Sequence, residues 1–151
     1  MRLAGCLVLL SIALLSVPTA QAATPARERW APFVVGDDPG GRLRPRLELV
    51  ARLRASGRRV EIRGRYCHSA CTVYLGARNV CVSPRTRFGF HGPYYRSGPI
   101  VHHRFDHWSR AMAAHYPAPL RRWFMRYARF LTDDQAILSG AELIRMGVPR
   151  C

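Results

Sequence analysis

"RRVEIRGRYCHSACTVYLGARNVCVSPRTRFGFH", residues 58–91, decides the architecture. Its first seven residues alternate, with Val60 and Ile62 on one face, as in a short strand. "SACTVYLGA" then reads as a buried helix that opens at Ser69. "NVCVS" and "RFGFH" read as two more strands, separated by Pro84-Arg85-Thr86. Upstream, "FVVGDDPGG" (33–41) is a short apolar run ending in a turn of Asp, Pro and Gly. From Leu43 to Leu53 the apolar residues fall at 43, 47, 49, 50 and 53, a helical spacing, and Gly57 supplies the stop. Strand, helix, strand, helix, strand is the α/β pattern that favours a small, mainly parallel sheet with crossover helices.

Beyond His91 the character changes. "GPYYRSGP" is a loop, and residues 101–116 are rich in histidine and aromatics. Pro117 and Pro119 bracket the start of "LRRWFMRYARF", where Leu120, Trp123, Phe124, Tyr127 and Leu131 line one face and arginines hold the other. This spacing predicts a basic amphipathic helix, either packed on the core or lying on a membrane surface or partner. "SGAELIRMG" closes the chain as a helix capped by Ser139, with Glu142 three residues on, and stopped by Gly147.

Residues 1–22 read as a cleaved export signal: Arg2, an apolar run from Leu3 to Leu15, and Ala20-Gln21-Ala22 as the cleavage site. The run is shorter than the roughly 20 residues of a membrane-spanning helix. A soluble product in the periplasm or beyond is expected, with 23–32 a polar leader and 33–151 one domain. Removing the signal takes Arg2 from the 24 basic residues, all of them arginine, and leaves 23 against 9 acidic ones, a net +14. Such a charge favours anionic surfaces such as phospholipid headgroups or polyanionic glycans. Nucleic acid is not expected, because the chain reads as exported and carries no recognition motif. Cys67, Cys71, Cys81 and Cys151 remain, an even count that suggests disulfides with three pairings open.

The chemistry centres on Ser69. A strand, a tight turn and a helix opening at that serine put the hydroxyl at the carboxyl end of a strand, where open α/β sheets bind ligands. The helix N-terminus adds free N–H groups that suit an oxyanion. His91 ends a later strand and is a candidate base, and the Gly40-Gly41 turn is a candidate second oxyanion donor. These three separated features are expected at one edge of one sheet. Serine is equally a favoured N-cap, so a structural reading of Ser69 stands beside the nucleophilic one. His68 neighbours the serine, but consecutive side chains diverge. His103 and His107 share a helix face at i, i+4, yet Arg104 stands where the zinc helix motif has Glu, so no metal and no cofactor is expected.

"DDPGG" at 37–41, "GRYCHSACT" at 64–72 and "RTRFGFHGP" at 85–93 resemble the Clp-protease/crotonase-like superfamily, above all its small exported ClpP-like members. The segment 136–148, "AILSGAELIRMGV", is similar to the family's closing helix. The resemblance implies a layered α/β fold truncated on its N-terminal side, with Ser69 as nucleophile and His91 as general base. It also implies Gly41 and Ala70 backbone N–H groups as the oxyanion hole, and helices after the histidine that serve oligomer contacts. The family's orienting aspartate aligns with Gln135, and a one-residue slip supplies Asp134. The expectation is an exported serine hydrolase acting on a peptide or other acyl bond. Its alternative is a non-catalytic binding or assembly module with a basic surface for anionic envelope components.

Overall fold

The computed structural model describes residues 31–95 and 97–151, so the export signal and most of the leader lie outside the described residues. The fold is mixed α/β, with one small parallel sheet and one small mixed sheet. In chain order the elements are β1 (Phe33–Val35), α1 (Leu43–Ser56), β2 (Val60–Ile62), β3 (Tyr66–His68) and a 3-10 helix (Ser69–Gly76). There follow β4 (Val80–Val82), β5 (Arg87–Phe90), α2 (His102–Ala113), α3 (Ala118–Arg126), a 3-10 turn (Ala128–Phe130), β6 (Ala136–Ser139) and α4 (Gly140–Arg145).

The single sheet expected from the sequence is two. β1, β2 and β4 pair in parallel in the first, with Val60 opposite Phe33 and Val80. In the second, β3 runs parallel to β5 and β6 lies antiparallel on the far side of β5. The reason is that the chain bends within each crossing. β2 turns at Arg63-Gly64-Arg65 into β3, a strand where a tight turn is expected, and β4 turns at residues 83–86 into β5. The chain beyond β1 makes the same step, because Asp38 bridges to Cys67 beside β3. Strand order is thus preserved across the bend.

Backbone hydrogen bonds continue through it. Arg63 and Gly64 N–H groups donate to Val35 O at 3.0 and 3.1 Å, and Ser83 N–H donates to Ile62 O at 2.9 Å. The bend also requires glycine. A Cβ on Gly64 would run into the Gly36 backbone and lie 2.5 Å from Asp37 N, whereas a Cβ on Gly36 would meet open space.

The core lies between the sheets and helices. Val60, Ile62 and Val82 are fully buried with Val50 of α1, Phe88 and Phe90 of β5, Leu120 and Phe124 of α3 and Leu143 of α4. The 3-10 helix runs through the middle, with Ala70 to Leu75 all buried. The alternation in β2 holds: Glu61 points outward and ion-pairs with Arg59 and Arg63. The C-terminal helix carries the expected capping box, Ser139 and Glu142 each accepting from the other's backbone N–H. The basic amphipathic helix is shorter than its pattern. It breaks at Tyr127, so Leu120 and Phe124 pack inside while Tyr127 and Phe130 stay exposed.

Two disulfides resolve the open pairings, Cys67–Cys71 and Cys81–Cys151. The second ties the last residue to β4, where Val82 also pairs with Arg150. Both bridges fit an oxidising, non-cytoplasmic compartment. No helix among the described residues is long and apolar enough to cross a membrane.

Gly64→Ala is expected to lower the free energy of unfolding by about 1–3 kcal/mol, the usual range for overpacking. Gly36→Ala, with room for its methyl, is expected to leave it nearly unchanged. Urea titrations of both variants measure the difference, and equal midpoints would refute the packing of the bend.

Candidate active site

Ser69 stands where β3 gives way to the 3-10 helix, with φ of 55°, the single positive-φ non-glycine among the described residues. A left-handed residue with a Cβ costs about 1–2 kcal/mol, so the surroundings must hold it. Three contacts do so. The Cys67–Cys71 bridge closes a short ring with Ser69 at its centre. The Thr72 hydroxyl donates to Ser69 O at 2.7 Å and lies 2.7 Å from the buried Tyr116 hydroxyl. Because Thr72 has one proton and spends it on Ser69, Tyr116 is the donor to Thr72. Finally, Gly40 packs on the serine: a Cβ there would lie 2.6 Å from Ser69 Cβ and 2.8 Å from His68 O.

The Gly40-Gly41 turn is held as firmly. Both glycines have positive φ, 105° and 122°. Asp38 accepts the Gly40 N–H at 2.8 Å and a guanidinium proton of Arg46 at 2.6 Å. Arg46 donates in addition to Gly40 O at 3.0 Å and to the Tyr74 hydroxyl at 2.7 Å. Among the described residues no acceptor takes the Gly41 N–H. Ala70 is the second residue of its helix, where N–H groups lack intrahelical acceptors.

His91 follows β5 directly, and β5 is the parallel neighbour of β3, with His68 opposite Gly89. Ser69 and His91 therefore leave the carboxyl ends of adjacent strands, about 4.8 Å apart in the sheet. His91 Nδ1–H donates to Gly92 O at 2.7 Å, which leaves Nε2 as the free acceptor. Gly92 is anchored in turn by donating its N–H to Leu131 O at 2.8 Å. Ser69 Oγ and His91 are not hydrogen-bonded to each other, a separation common in unliganded sites.

Ser69, Ala70, His91 and Gly41 all line one cleft of about 1000 Å³. Asp134 does not reach it. That residue is exposed, and its carboxylate accepts the Gln135 N–H at 2.7 Å. Gln135 does line the cleft, but its amide lies 3.3 Å from His68 Nδ1, not beside His91. His68 itself packs over Gly89, and burial, with Arg87 and His91 nearby, holds its pKa below the ordinary imidazole range. It is neutral at neutral pH, and among the described residues its buried Nε2 has no hydrogen-bond partner. The pattern of the sequence gives no sign of the pairs Asp38–Arg46, Arg46–Tyr74 and Thr72–Tyr116, because they join residues 8, 28 and 44 positions apart. His102, His103 and His107 are exposed on α2 or at its start, and no three His, Cys, Asp or Glu side chains among the described residues converge as metal ligands would.

Searches with protein-family models, among curated proteins and among solved structures find no match to this chain. The residues and their geometry therefore carry the functional reading.

Thr72→Val is expected to destabilise the fold by about 1–3 kcal/mol, since it strands the Tyr116 hydroxyl in full burial. The double variant with Tyr116→Phe removes both partners and is expected to recover much of that loss. Ser69 O remains without its donor in both, so reactivity of Ser69 toward an acylating probe should stay reduced in the double variant. Recovery of reactivity together with stability would show that the chain does not hold the serine.

Proposed function

We propose that the protein is an exported serine hydrolase acting on a peptide or other acyl bond. The observation that carries this is the left-handed Ser69, held at a strand-to-helix junction in the wall of a cleft it shares with His91. A capping serine needs no such conformation, because N-caps sit in extended backbone. Strain held at a cleft is what an exposed nucleophile requires.

In this reading Ser69 Oγ attacks the substrate carbonyl carbon while His91 Nε2 takes the hydroxyl proton. The oxygen that becomes negative accepts from the Gly41 and Ala70 N–H groups. Collapse of the tetrahedral intermediate expels the leaving group, which takes the proton back from His91. Water then repeats the sequence on the acyl-enzyme. The Gly92 carbonyl does for the imidazole what a carboxylate does in a triad: it selects the tautomer and sets the ring's direction. The active pair is thus a dyad supported by backbone.

The ClpP/crotonase-like resemblance agrees with these roles. Support for that fold comes from the repeated crossing that feeds one strand to each of two sheets. Export through residues 1–22 to the periplasm or beyond is consistent with the two disulfides. The competing reading is a binding module of the same fold, favoured by the lack of any carboxylate at His91 among the described residues.

A fluorophosphonate probe separates the two. The folded protein is expected to be labelled, Ser69→Ala to be inert, and His91→Ala to lose roughly 10²–10⁴-fold in labelling rate. Asp134→Asn is expected to change little. Labelling that survives Ser69→Ala would remove Ser69 as nucleophile, and no labelling of folded protein would favour the binding module.

A further inference from the structure

The cleft is larger than the serine and histidine need, and its remaining walls have a definite chemistry. One wall is the start of α1, where Arg42 follows Gly41 directly and Arg44 stands in the first turn. The other is the loop after β5 together with α2, which contributes Tyr95, Arg104, Trp108 and Met112. The guanidinium of Arg44 lies 5.9 Å from the Trp108 ring centroid, so the two walls meet across the cleft mouth. Tyr95, Arg104 and Trp108 line this wall together, and Arg104 holds the Tyr95 phenol below its ordinary pKa.

All the charge on these walls has one sign. Among the described residues no Asp or Glu lines the cleft. Among the described residues the acidic side chains that form ion pairs do so with Arg46, Arg59, Arg63, Arg65, Arg110 and Arg129, not with the three cleft arginines. Among the described residues these three exposed arginines have no carboxylate partner, and Trp108 and Met112 give the cleft an aromatic and apolar lining beside them. Guanidinium groups bind carboxylates through paired, charge-assisted hydrogen bonds, and a low-dielectric wall strengthens them.

We propose that the cleft selects acyl substrates that carry a negatively charged group beyond an apolar segment, bound by Arg42, Arg44 and Arg104. The proposal rests on the hydrolase reading for turnover but not for binding. The apolar segment lies on Trp108 and Met112, and the anionic group meets the arginines at the mouth. A cationic substrate of the same shape is repelled.

Matched esters test it. The mono-p-nitrophenyl ester of suberic acid and p-nitrophenyl octanoate share chain length and leaving group and differ in the terminal charge. The suberate ester is expected to have the higher kcat/KM by roughly 10-fold, the effect of one charge-assisted contact. That ratio should fall toward one in Arg104→Gln and in Arg44→Gln, and should shrink as salt is raised. Equal kcat/KM for the two esters, or a ratio unmoved by both substitutions, would overturn the proposal while leaving the hydrolase reading intact. Binding is measured separately in Ser69→Ala, by calorimetry with the monomethyl ester of suberate and with uncharged methyl octanoate. Tighter binding of the suberate monoester there, with no turnover by the parent protein, would sink the hydrolase reading and keep this one. Equal or weaker binding of the suberate monoester would sink this one.

Discussion

The left-handed backbone at Ser69 is the constraint on which the site depends. A serine with positive φ turns its side chain away from the helix it begins and toward the cleft. The conformation costs about 1–2 kcal/mol, comparable to one or two net hydrogen bonds. The Thr72–Tyr116 chain supplies that order of compensation from inside the core, and the Cys67–Cys71 ring restrains the same residue from both sides. Gly40 completes the arrangement by leaving space where any side chain would strike Ser69. Gly41, the next residue in the same turn, lines the cleft with Ser69.

The bent crossings explain how so short a chain assembles this. Each strand has only three or four residues, too few for one broad sheet to span the core. Bending each crossing at Gly36, Gly64 or residues 83–86 lets one pass of the chain serve both sheets. The strand ends of the second sheet, β3 and β5, then carry Ser69 and His91 to the same edge. The Asp38 bridge to Cys67 draws the Gly40-Gly41 turn to that edge as well. The sites expected from three separated sequence features converge because the order of crossings is the same in both sheets.

Much of this is legible in the sequence, and what is not has a physical reason. Period-two alternation at Val60 and Ile62, helical spacing from Leu43 to Leu53 and the Ser139–Glu142 box are local, so β2, α1 and α4 are readable. The split into two sheets is not, since a bend at Gly64 looks the same as a turn until Gly36 is found against it. β3 is hidden because its three residues alternate in burial without β-branched side chains. The places of Ser69, His91 and the Gly40-Gly41 turn at element ends are legible, and Ser69, His91 and Gly41 line one cleft. Their supports are not legible: Arg46 on α1 looks like one more surface arginine, and Thr72 and Tyr116 look like ordinary core. Asp134 attracts attention as an acid at the right distance in sequence, yet its carboxylate is turned to its own neighbour's N–H.

The absence of a carboxylate at His91 fits the charge of the cleft. In a triad the carboxylate offsets the imidazolium that forms as the nucleophile attacks. In the proposed hydrolase the Gly92 carbonyl offers only a dipole, so the imidazolium would be less well stabilised than in a triad. The same step, however, creates an oxyanion, and the pair of charges formed is neutral overall. The surrounding arginines disfavour one member and favour the other, so their net effect on the chemical step is small. Their effect on what enters the cleft is not cancelled, because a substrate's own charge is present before and after attack. His68 matters to this balance through its neutrality: burial keeps a second cation away from the developing imidazolium. Gln135, uncharged, contacts that ring without drawing a proton onto it, whereas an aspartate there would raise the His68 pKa and add a positive charge beside His91. The glutamine therefore keeps the ring beside His91 uncharged.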